Sequence, residues 1–297
     1  MKNKNNILTI LVTGGSGFLG SHVTESLIST GYKVKIFDTK TPPLELSNAE
    51  FCHSDLLNQS AVNEAMSGVD IVFHLAALAD LDKAKDSPLQ TMMVNVIGTN
   101  NILEAARKHN VKQVIFSSSI YVHSNTGGFY RVSKHCCELL LEEYFNQYDL
   151  GYTILRFGTL YGPRSDKSNS VYNYLHEALK KRVINSVGNG NEVREYIDVR
   201  DAADICIKLL QEPHKGETLI LTGNHRMKLS ELLEMINEIL GNNIKIKFGD
   251  GKPAHYKYTP YSYKPVAGKK LVMDSYRDMG QGLVEILDEI DNKSKSN

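Results

Sequence analysis

The sequence has no excess of charge of either sign. Its 297 residues include 34 lysines and arginines and 34 aspartates and glutamates, so the formal net charge is zero. A protein that binds nucleic acid through its phosphates needs a surplus of positive charge, and the balance argues against that function. It also argues against a polybasic attachment to an anionic membrane surface. Composition therefore favours neither a nucleic-acid partner nor a membrane partner.

Long apolar runs are missing as well, and cysteines are few. The longest nearly apolar stretch, Ile71–Ala79, has nine residues, whereas about 20 are needed to cross a bilayer. The apolar stretch Ile7–Val12 is too short for the core of a signal peptide. The cysteines form no paired spacing typical of zinc or redox sites, and the histidines are scattered, so we predict buried free thiols and no metal site. These features predict a cytoplasmic protein. The cysteines are Cys52, Cys136, Cys137 and Cys206.

Short segments rich in valine and isoleucine alternate with longer amphipathic segments in the first half of the chain. Strands are predicted at Ile7–Thr13, Lys33–Phe37, Val69–Leu75, Val111–Ser117 and Tyr152–Leu155. Helices are predicted at Gly17–Thr30, Asn58–Gly68, Leu89–Asn110 and Phe129–Asp149. This alternation is typical of an α/β fold with a doubly wound parallel sheet covered by helices on both faces.

The pattern changes after about residue 160. We predict a nucleotide-binding domain in residues 1–160, to which 190–222 return, and mainly a smaller C-terminal substrate-binding lobe in 161–297. Four tyrosines between residues 256 and 263 suit stacking on a base or sugar ring, or simply covering an edge of the small lobe. Both interpretations stay open.

A glycine-rich turn follows the first predicted strand and leads into a helix. Gly14, Gly17 and Gly20 are spaced G-x-x-G-x-x-G, one residue wider than the Rossmann fingerprint. Glycines permit the tight turn and let the backbone approach a pyrophosphate at the helix N-terminus, which predicts a Rossmann-like fold. Asp38, 18 residues beyond Gly20, suits hydrogen bonds to the adenosine ribose, and its charge favours NAD over NADP. The alternatives are glycines that serve packing and an aspartate that forms a turn.

Ser119, Tyr130 and Lys134 form a second candidate group. Ser119 follows the predicted strand Val111–Ser117, and Tyr130 and Lys134, four residues apart, share one helix face. Ligands bind at the carboxyl ends of strands in open α/β sheets, so we expect the group beside the nicotinamide ring. A tyrosine with a pKa of about 10 is a poor base at neutral pH, but a nearby ammonium favours its phenolate. Singly, each residue is equally compatible with a structural role.

Several motifs combine with this group: TGGSGFLG, HLAA, VNVIGT, FSSS, YRVSK, LRFGTLYGPR and NEVREYIDVRDAAD. Together, over about residues 7–240, they resemble the extended short-chain dehydrogenase/reductase family, and within it the NAD-dependent nucleotide-sugar epimerases and dehydratases. The resemblance implies that Tyr130 is the catalytic acid/base, Lys134 its modulator and Ser119 the substrate anchor. It also implies that Thr159 and Arg194 bind a nucleoside-diphosphate sugar, with Arg194 on its phosphates.

The resemblance further implies a tightly held NAD cofactor and a homodimer formed by the two long helices at 89–110 and 129–149. Packing on the sheet explains these helices equally well. The residues it assigns to the NAD site are Gly14, Ser16, Gly17, Phe18, Leu19, Gly20, Asp38, Asp55, Leu56, Leu75, Ala76, Ala77, Asn95, Ser117, Tyr130 and Lys134.

Departures from the family pattern bear on the reaction. Tyr130 lies only 11 positions after Ser119, a shorter interval than is usual in UDP-galactose 4-epimerases, and Thr159 stands where asparagine is usual. Both departures leave the identity of the sugar open. Ile120-Tyr121 replaces the Asp-Glu pair of 4,6-dehydratases, and neither side chain can do the acid/base work of two carboxyls. We therefore expect a nucleotide-sugar 4-epimerase that works through a 4-keto intermediate. The alternatives are a dehydratase, decarboxylase or dehydrogenase/reductase of the same family, or a non-catalytic NAD-binding protein.

Overall fold

The computed structural model describes residues 7–124, 126–211, 214–223 and 226–249. The strands are β1 (Thr9–Thr13), β2 (Lys33–Asp38), β3 (Glu50–His53), β4 (Ile71–His74), β5 (Gln113–Ser119), β6 (Gly151–Phe157), β7 (Thr159–Tyr161), β8 (Val183–Ser186), β9 (Val193–Asp198), β10 (Glu217–Leu221), β11 (Arg226–Lys228) and β12 (Lys245–Phe248). The α-helices are α1 (Phe18–Ser29), α2 (Gln59–Ala65), α3 (Leu81–Asp86), α4 (Pro88–Met92), α5 (Gly98–Lys108), α6 (Gly128–Tyr148), α7 (Ser170–Lys181), α8 (Val199–Lys208) and α9 (Leu229–Ile239). Two 3₁₀ segments, Leu44–Leu46 and Ile120–His123, and one π-helical segment, Met93–Ile97, complete the set.

Seven parallel strands form the central sheet, in the order β10-β6-β5-β4-β1-β2-β3. The chain runs outward from β1 to β3 and then continues on the other side of β1 with β4, β5 and β6. The carboxyl ends of β1 and β4 therefore flank the switch point, where open α/β sheets bind their ligands. The predicted Rossmann-like, doubly wound parallel sheet is confirmed.

Separate apolar cores cover the two faces of this sheet. On one face, side chains of α2, α5 and α6 pack against alternate residues of the strands, such as Val72, Val114 and Phe116. On the other face, α1 and α8 pack against the intervening residues, such as Phe73 and Ile115. Because both faces are buried, the strands carry nearly continuous apolar runs, as the sequence indicated.

The second half of the chain adds two small sheets. One has the order β11-β9-β7, and the other pairs β12 with β8. A third core joins α7 and α9 to the β8–β12 pair through Ala178, Ile184, Leu233 and Ile236. β10, from the same half of the chain, lies at the edge of the central sheet beside β6. The division into domains stays a prediction, and the tyrosine-rich segment 256–263 lies outside the described residues.

The structure differs from the sequence predictions in two useful places. The segment predicted as one helix over 89–110 consists of α4, the π-helical turn Met93–Ile97 and α5. Single π-turns inside helices mark functional positions in many proteins, and this one contains the buried Asn95. β3 and β9 are not in the predicted set of strands. β3 is short and partly exposed, and the sequence VREYID of β9 has neither a continuous apolar run nor a regular alternation of apolar and polar residues.

No helix among the described residues combines the length and the apolar character that a membrane span requires. Within the same ranges, no three His, Cys, Asp or Glu side chains lie close enough together to hold a metal ion. All four cysteines are free thiols, and Cys137 and Cys206 are buried.

Candidate active site

The glycine-rich turn connects β1 to α1 and is too tight for side chains. Gly14 has a φ of +71°, and a Cβ there would lie 2.7 Å from the backbone nitrogen of Ala76. A Cβ on Gly20 would lie 2.0 Å from the carbonyl oxygen of Gly14. The N–H of Gly17 donates to that same oxygen at 3.0 Å. The turn therefore depends on glycine at positions 14 and 20.

The helix that follows this turn begins without a cap. No side chain caps the N-terminus of α1, whose first turn is formed by Phe18 and Leu19. The Ser16 hydroxyl beside it is buried and has no hydrogen-bond partner among the described residues. Exposed N–H groups and the positive end of the helix dipole suit a pyrophosphate. The residues present therefore fit the diphosphate of a dinucleotide.

Asp38 ends β2 next to the same turn. One carboxylate oxygen accepts a hydrogen bond from the Ser16 N–H at 3.0 Å, and the other accepts from the Lys40 N–H at 2.9 Å. Each oxygen keeps a further lone pair, which suits ribose hydroxyls. Asp55 lies farther along this edge and is exposed, whereas the side chain of Leu56 is buried in the core against α5. Of the two, only Asp55 has a side chain that is accessible to a ligand.

The loop after β4 forms the opposite wall of the crevice. The N–H of Leu75 donates to the Thr13 carbonyl at 3.1 Å, and the N–H of Ala76 donates to the Thr13 hydroxyl at 3.3 Å. Ala77 follows them and is partly exposed. These contacts hold the loop beside the end of β1, so the predicted NAD-site residues of both segments lie together.

Asn95 holds this loop in place through side-chain hydrogen bonds. Its side-chain oxygen accepts from the Leu78 N–H at 2.7 Å, and its amide nitrogen donates to the Leu78 carbonyl at 3.1 Å and to the Ser133 hydroxyl at 2.9 Å. The whole residue is buried. The structure thus shows a clamp that joins the loop to α6, a role that the motif alone did not reveal.

The candidate catalytic group lies where β5 meets α6. Ser119 ends β5, and its side chain forms a hydrogen bond with Tyr130 in the first turn of α6. The Lys134 ammonium donates to the Ser117 carbonyl at 2.7 Å and lies 5.9 Å from the center of the Tyr130 ring. The structure therefore brings all three predicted catalytic residues together, with Ser117 as a backbone support.

Burial shapes the ionisation of this group. Loss of water raises the pKa of Tyr130, and the nearby Tyr121 raises it further, while the Ser119 hydrogen bond opposes them. Burial also lowers the pKa of Lys134 to about 8. The expected lowering of the Tyr130 pKa by Lys134 is therefore not met by these residues alone, because Lys134 is directed at the Ser117 carbonyl. An additional positive charge beside the phenol would be needed to form the phenolate near neutral pH.

The predicted substrate residues form a separate group in the small β11-β9-β7 sheet. Thr159 in β7 pairs with Tyr196 in β9, and Arg194 lies two residues earlier on β9. Arg194 is mostly buried and donates from its guanidinium to the Val193 carbonyl at 3.0 Å. The structure therefore places Thr159 and Arg194 on neighbouring strands.

The loop after β7 fastens this sheet to the glycine-rich segment. The His22 side chain is within hydrogen-bonding distance, 3.0 Å, of the Pro163 carbonyl oxygen. Arg164 forms a salt bridge of 2.7 Å with Glu25. Both partners lie on α1, so the loop is held against the helix whose N-terminus faces the crevice.

Comparison with known proteins agrees with this geometry. Residues 10–221 match the model of the NAD dependent epimerase/dehydratase family, and the chain belongs to that family. NAD is accordingly its cofactor. The expected family and fold are both confirmed.

Individual relatives differ in the reaction that their names give. A protein of Methanocaldococcus jannaschii, provisionally named UDP-glucose 4-epimerase, is 30% identical over 78% of this chain and 82% of its own length. The UDP-N-acetyl-alpha-D-glucosaminuronate decarboxylase of Bacillus cytotoxicus is 26% identical over 91% of each chain. The UDP-glucose 4-epimerase of Thermotoga maritima, solved with UDP-glucose, is 28% identical, with a TM-score of 0.76 over 84% of this chain and 90% of its own.

Proposed function

We propose that this protein is a UDP-sugar 4-epimerase in which Tyr130 is the catalytic acid/base. The observation that carries the proposal is the meeting of Ser119, Tyr130 and Lys134 at the end of β5, beside a turn that fits a dinucleotide diphosphate. The similarity to a UDP-glucose 4-epimerase solved with its substrate supports UDP as the nucleotide.

Each residue of the group has a distinct task in this proposal. Tyr130 removes the proton of the sugar C4 hydroxyl and later returns it, and Ser119 donates a hydrogen bond to the same oxygen. NAD would supply the hydride acceptor for C4 and, in its oxidised form, a positive charge that favours the Tyr130 phenolate. The Lys134 ammonium, 5.9 Å from the centre of the Tyr130 ring, adds a second positive charge. Arg194 is the proposed partner of the UDP phosphates.

Epimerisation is preferred to dehydration because of the residues after Ser119. Ile120 and Tyr121 begin a 3₁₀ turn at this point, and Tyr121 lies close enough to Tyr130 to affect its pKa. A carboxyl at either position would be the natural acid or base for a neighbouring sugar carbon, and neither position has one. A decarboxylase or dehydrogenase of the same family is distinguished by its products.

The experiment is proton NMR of the enzyme with a panel of UDP-sugars and substoichiometric NAD in D₂O. We expect a product epimeric at C4 that carries no solvent deuterium and is accompanied by no net NADH. Loss of CO₂ would identify a decarboxylase, and stoichiometric NADH a dehydrogenase. Deuterium uptake with loss of water would identify a dehydratase. Binding without any conversion across the panel would support the non-catalytic alternative.

A pair of tyrosine variants tests the assignment of the acid/base. Tyr130→Phe removes only the hydroxyl, and we expect kcat to fall by about 10²- to 10⁴-fold, with NAD content unchanged. Tyr144→Phe is the matched control on the same helix, since its hydroxyl bonds Asn100 and Glu104. Near-normal turnover by Tyr130→Phe would exclude the mechanism.

We also propose a homodimer formed through an exposed apolar surface on the two long helical segments. Leu89 is 76% exposed and Leu139 is 54% exposed, and contiguous exposed apolar patches commonly mark protein interfaces. The other members of this surface are Met93, Ile97, Phe129 and Val132. We expect light scattering to give twice the mass of one chain, and Leu139→Asp to give monomers. A monomeric parent protein would contradict the proposal.

The proposed location is the cytoplasm. Its support is chemical, since the four cysteines are free and two of them lie in the apolar cores, as suits a reducing compartment. Fractionation of the native cells tests it, and recovery with a secreted or membrane fraction would contradict it.

A further inference from the structure

A buried polar cluster, formed by Ser118, Glu138 and Arg156, lies directly behind the candidate catalytic group. One carboxylate oxygen of Glu138 accepts from the Ser118 hydroxyl at 2.5 Å and from Arg156 Nε at 3.0 Å. The other oxygen accepts from an Arg156 Nη at 2.7 Å. Glu138 is 2% exposed. Three charge-assisted hydrogen bonds thus converge on one buried carboxylate.

The Ser118–Glu138–Arg156 cluster joins three elements of the fold. Ser118 on β5 is the register partner of Arg156 on β6, so their side chains share the face of the sheet that α6 covers. Glu138 lies on α6, two turns after Tyr130 and one turn after Lys134. The cluster therefore fixes the position of α6 along and across the ends of β5 and β6.

Packing alone does not require charge at this position. The neighbours of the cluster on the same face, Phe116, Leu141 and Ile154, are buried and apolar. Burying an ion pair has a large desolvation cost, and apolar residues of similar volume often give equal or greater stability. The ion pair instead restricts the orientation of the Glu138 carboxylate, because a bidentate arginine and a serine hydroxyl permit few arrangements of it.

We propose that Glu138 is a positioning residue that sets the separation of Ser119 and Tyr130 by tying α6 to Ser118 and Arg156. Ser119 is the next residue after Ser118, and Tyr130 lies on the helix that Glu138 holds, so a shift of the tie moves the two groups relative to each other. The inference rests on the proposed function for its kinetic test and on geometry alone for its structural test.

The Glu138 carboxylate also affects the ionisation of Lys134 electrostatically. Its negative charge favours the ammonium form and opposes the effect of burial on the pKa of Lys134. The ammonium in turn donates to the Ser117 carbonyl, one residue before Ser118. The hydrogen bonds of Glu138 and its negative charge therefore both favour an ordered and charged Lys134.

The first test compares E138Q with E104Q as a matched control. Glu104 forms a bidentate pair with Arg107, at 2.6 and 3.0 Å, but on the partly exposed side of α5. Misplacement of reacting groups by about 1 Å is enough to cost about 10²-fold in rate. For UDP-glucose turnover we expect E138Q to lower kcat by about 10- to 100-fold with KM within about two-fold, and E104Q to leave both unchanged. An E138Q enzyme with kcat within two-fold of the parent would overturn the proposal.

A triple variant, S118A/E138M/R156M, separates positioning from stability, because it removes every polar group of the cluster at once. We expect it to regain the melting temperature that E138Q loses but not the lost kcat. If E138Q fails to fold, the kcat of the triple variant alone tests the proposal. Recovery of both quantities, or a triple variant that does not fold, would give the cluster a purely structural role and overturn the proposal.

A crystal structure of E138Q with NAD gives a readout that needs no substrate. We expect the distance between Ser119 Oγ and Tyr130 Oη to differ from that of the parent by about 0.5 Å or more, the tolerance within which such groups must be held. An unchanged distance would overturn the proposal. A parent enzyme that fails to epimerise any sugar would refute the proposed function and leave this test intact.

Discussion

His74 is expected to make the protein acid-sensitive well above the range in which its carboxylates titrate. It ends β4, is 1% exposed, and lies between two hydroxyls: Thr13 Oγ1 is 2.7 Å from Nδ1, and Thr99 Oγ1 is 2.9 Å from Nε2. The Thr99 hydroxyl donates its proton to the Asn95 carbonyl, so it must accept from Nε2. Nδ1 is then the acceptor of the Thr13 proton, and the network specifies a neutral ring.

The size of the stability loss follows from the pKa of His74 in the folded and in the unfolded chain. Burial, with a smaller contribution from Lys134, lowers the pKa of His74 from 6.5 to about 3. The unfolded chain therefore binds a proton below pH 6.5 that the folded chain does not bind until about pH 3. Stability is fully present above 6.5 and is lost as the pH falls through this window. From pH 7 to pH 5 the loss from this group is about 2 kcal/mol.

Urea denaturation of the NAD-free protein at pH 7 and pH 5 measures this loss. His74→Gln keeps an acceptor and a donor for the two threonines but cannot titrate, so its free energy of unfolding should depend on pH by about 2 kcal/mol less than that of the parent. His109→Gln, at the end of α5, is the control and should retain the parent's dependence. Equal pH dependence in His74→Gln and the parent would refute the reasoning.

Three further predictions concern the cofactor crevice. Gly20→Ala forces the turn open, and calorimetry should show NAD Kd raised about ten- to a hundred-fold. Gly31→Ala is the control, because a Cβ there meets open space; it should leave the NAD Kd unchanged and lose about 1 kcal/mol of stability for its positive φ. Equal NAD Kd values for the Gly20→Ala and Gly31→Ala variants would contradict the tight-turn argument. Asp38→Ala should reduce the preference for NAD over NADP by about 1–3 kcal/mol, seen as the ratio of the two Kd values, and an unchanged ratio would remove Asp38 from the adenosine site. Asn95→Ala leaves the Leu78 backbone groups unpaired and should cost about 2–3 kcal/mol in urea denaturation, whereas a loss below about 0.5 kcal/mol would contradict the clamp.

The sequence predicted the parts of the fold that depend on local signals. The Val- and Ile-rich segments became β1, β2, β4 and β5 because a strand buried on both faces must be apolar along its whole length. β9 was not recognised, since VREYID has neither a continuous apolar run nor a regular alternation and belongs to a small sheet with more exposed faces. The π-turn at Asn95 was not predicted either, and the hydrogen bonds that Asn95 makes there reach Leu78 and Ser133, which are distant in the chain.

The same distinction applies to the candidate site. Glycine spacing and the Tyr130/Lys134 interval are short-range patterns, so the sequence was sufficient to select them. The Glu138–Arg156 pair spans 18 residues and two elements, so no spacing rule reveals it. A signal was nevertheless present: Glu138 continues the four-residue interval from Tyr130 through Lys134, and a buried glutamate on that face requires a partner.

Helix α6 combines several of these features, and this combination restricts where the chain can change in length. Tyr130, Lys134 and Glu138 occupy one side of it, and the exposed apolar Val132 and Leu139 occupy another. One residue inserted into a helix turns everything beyond it by about 100°. An insertion between Tyr130 and Glu138 would therefore separate the proposed acid/base from its proposed positioning residue and rotate Leu139 away from Val132 at the same time. A change of length before the helix begins, in the segment 120–127, leaves the register of Tyr130, Lys134 and Glu138 unchanged.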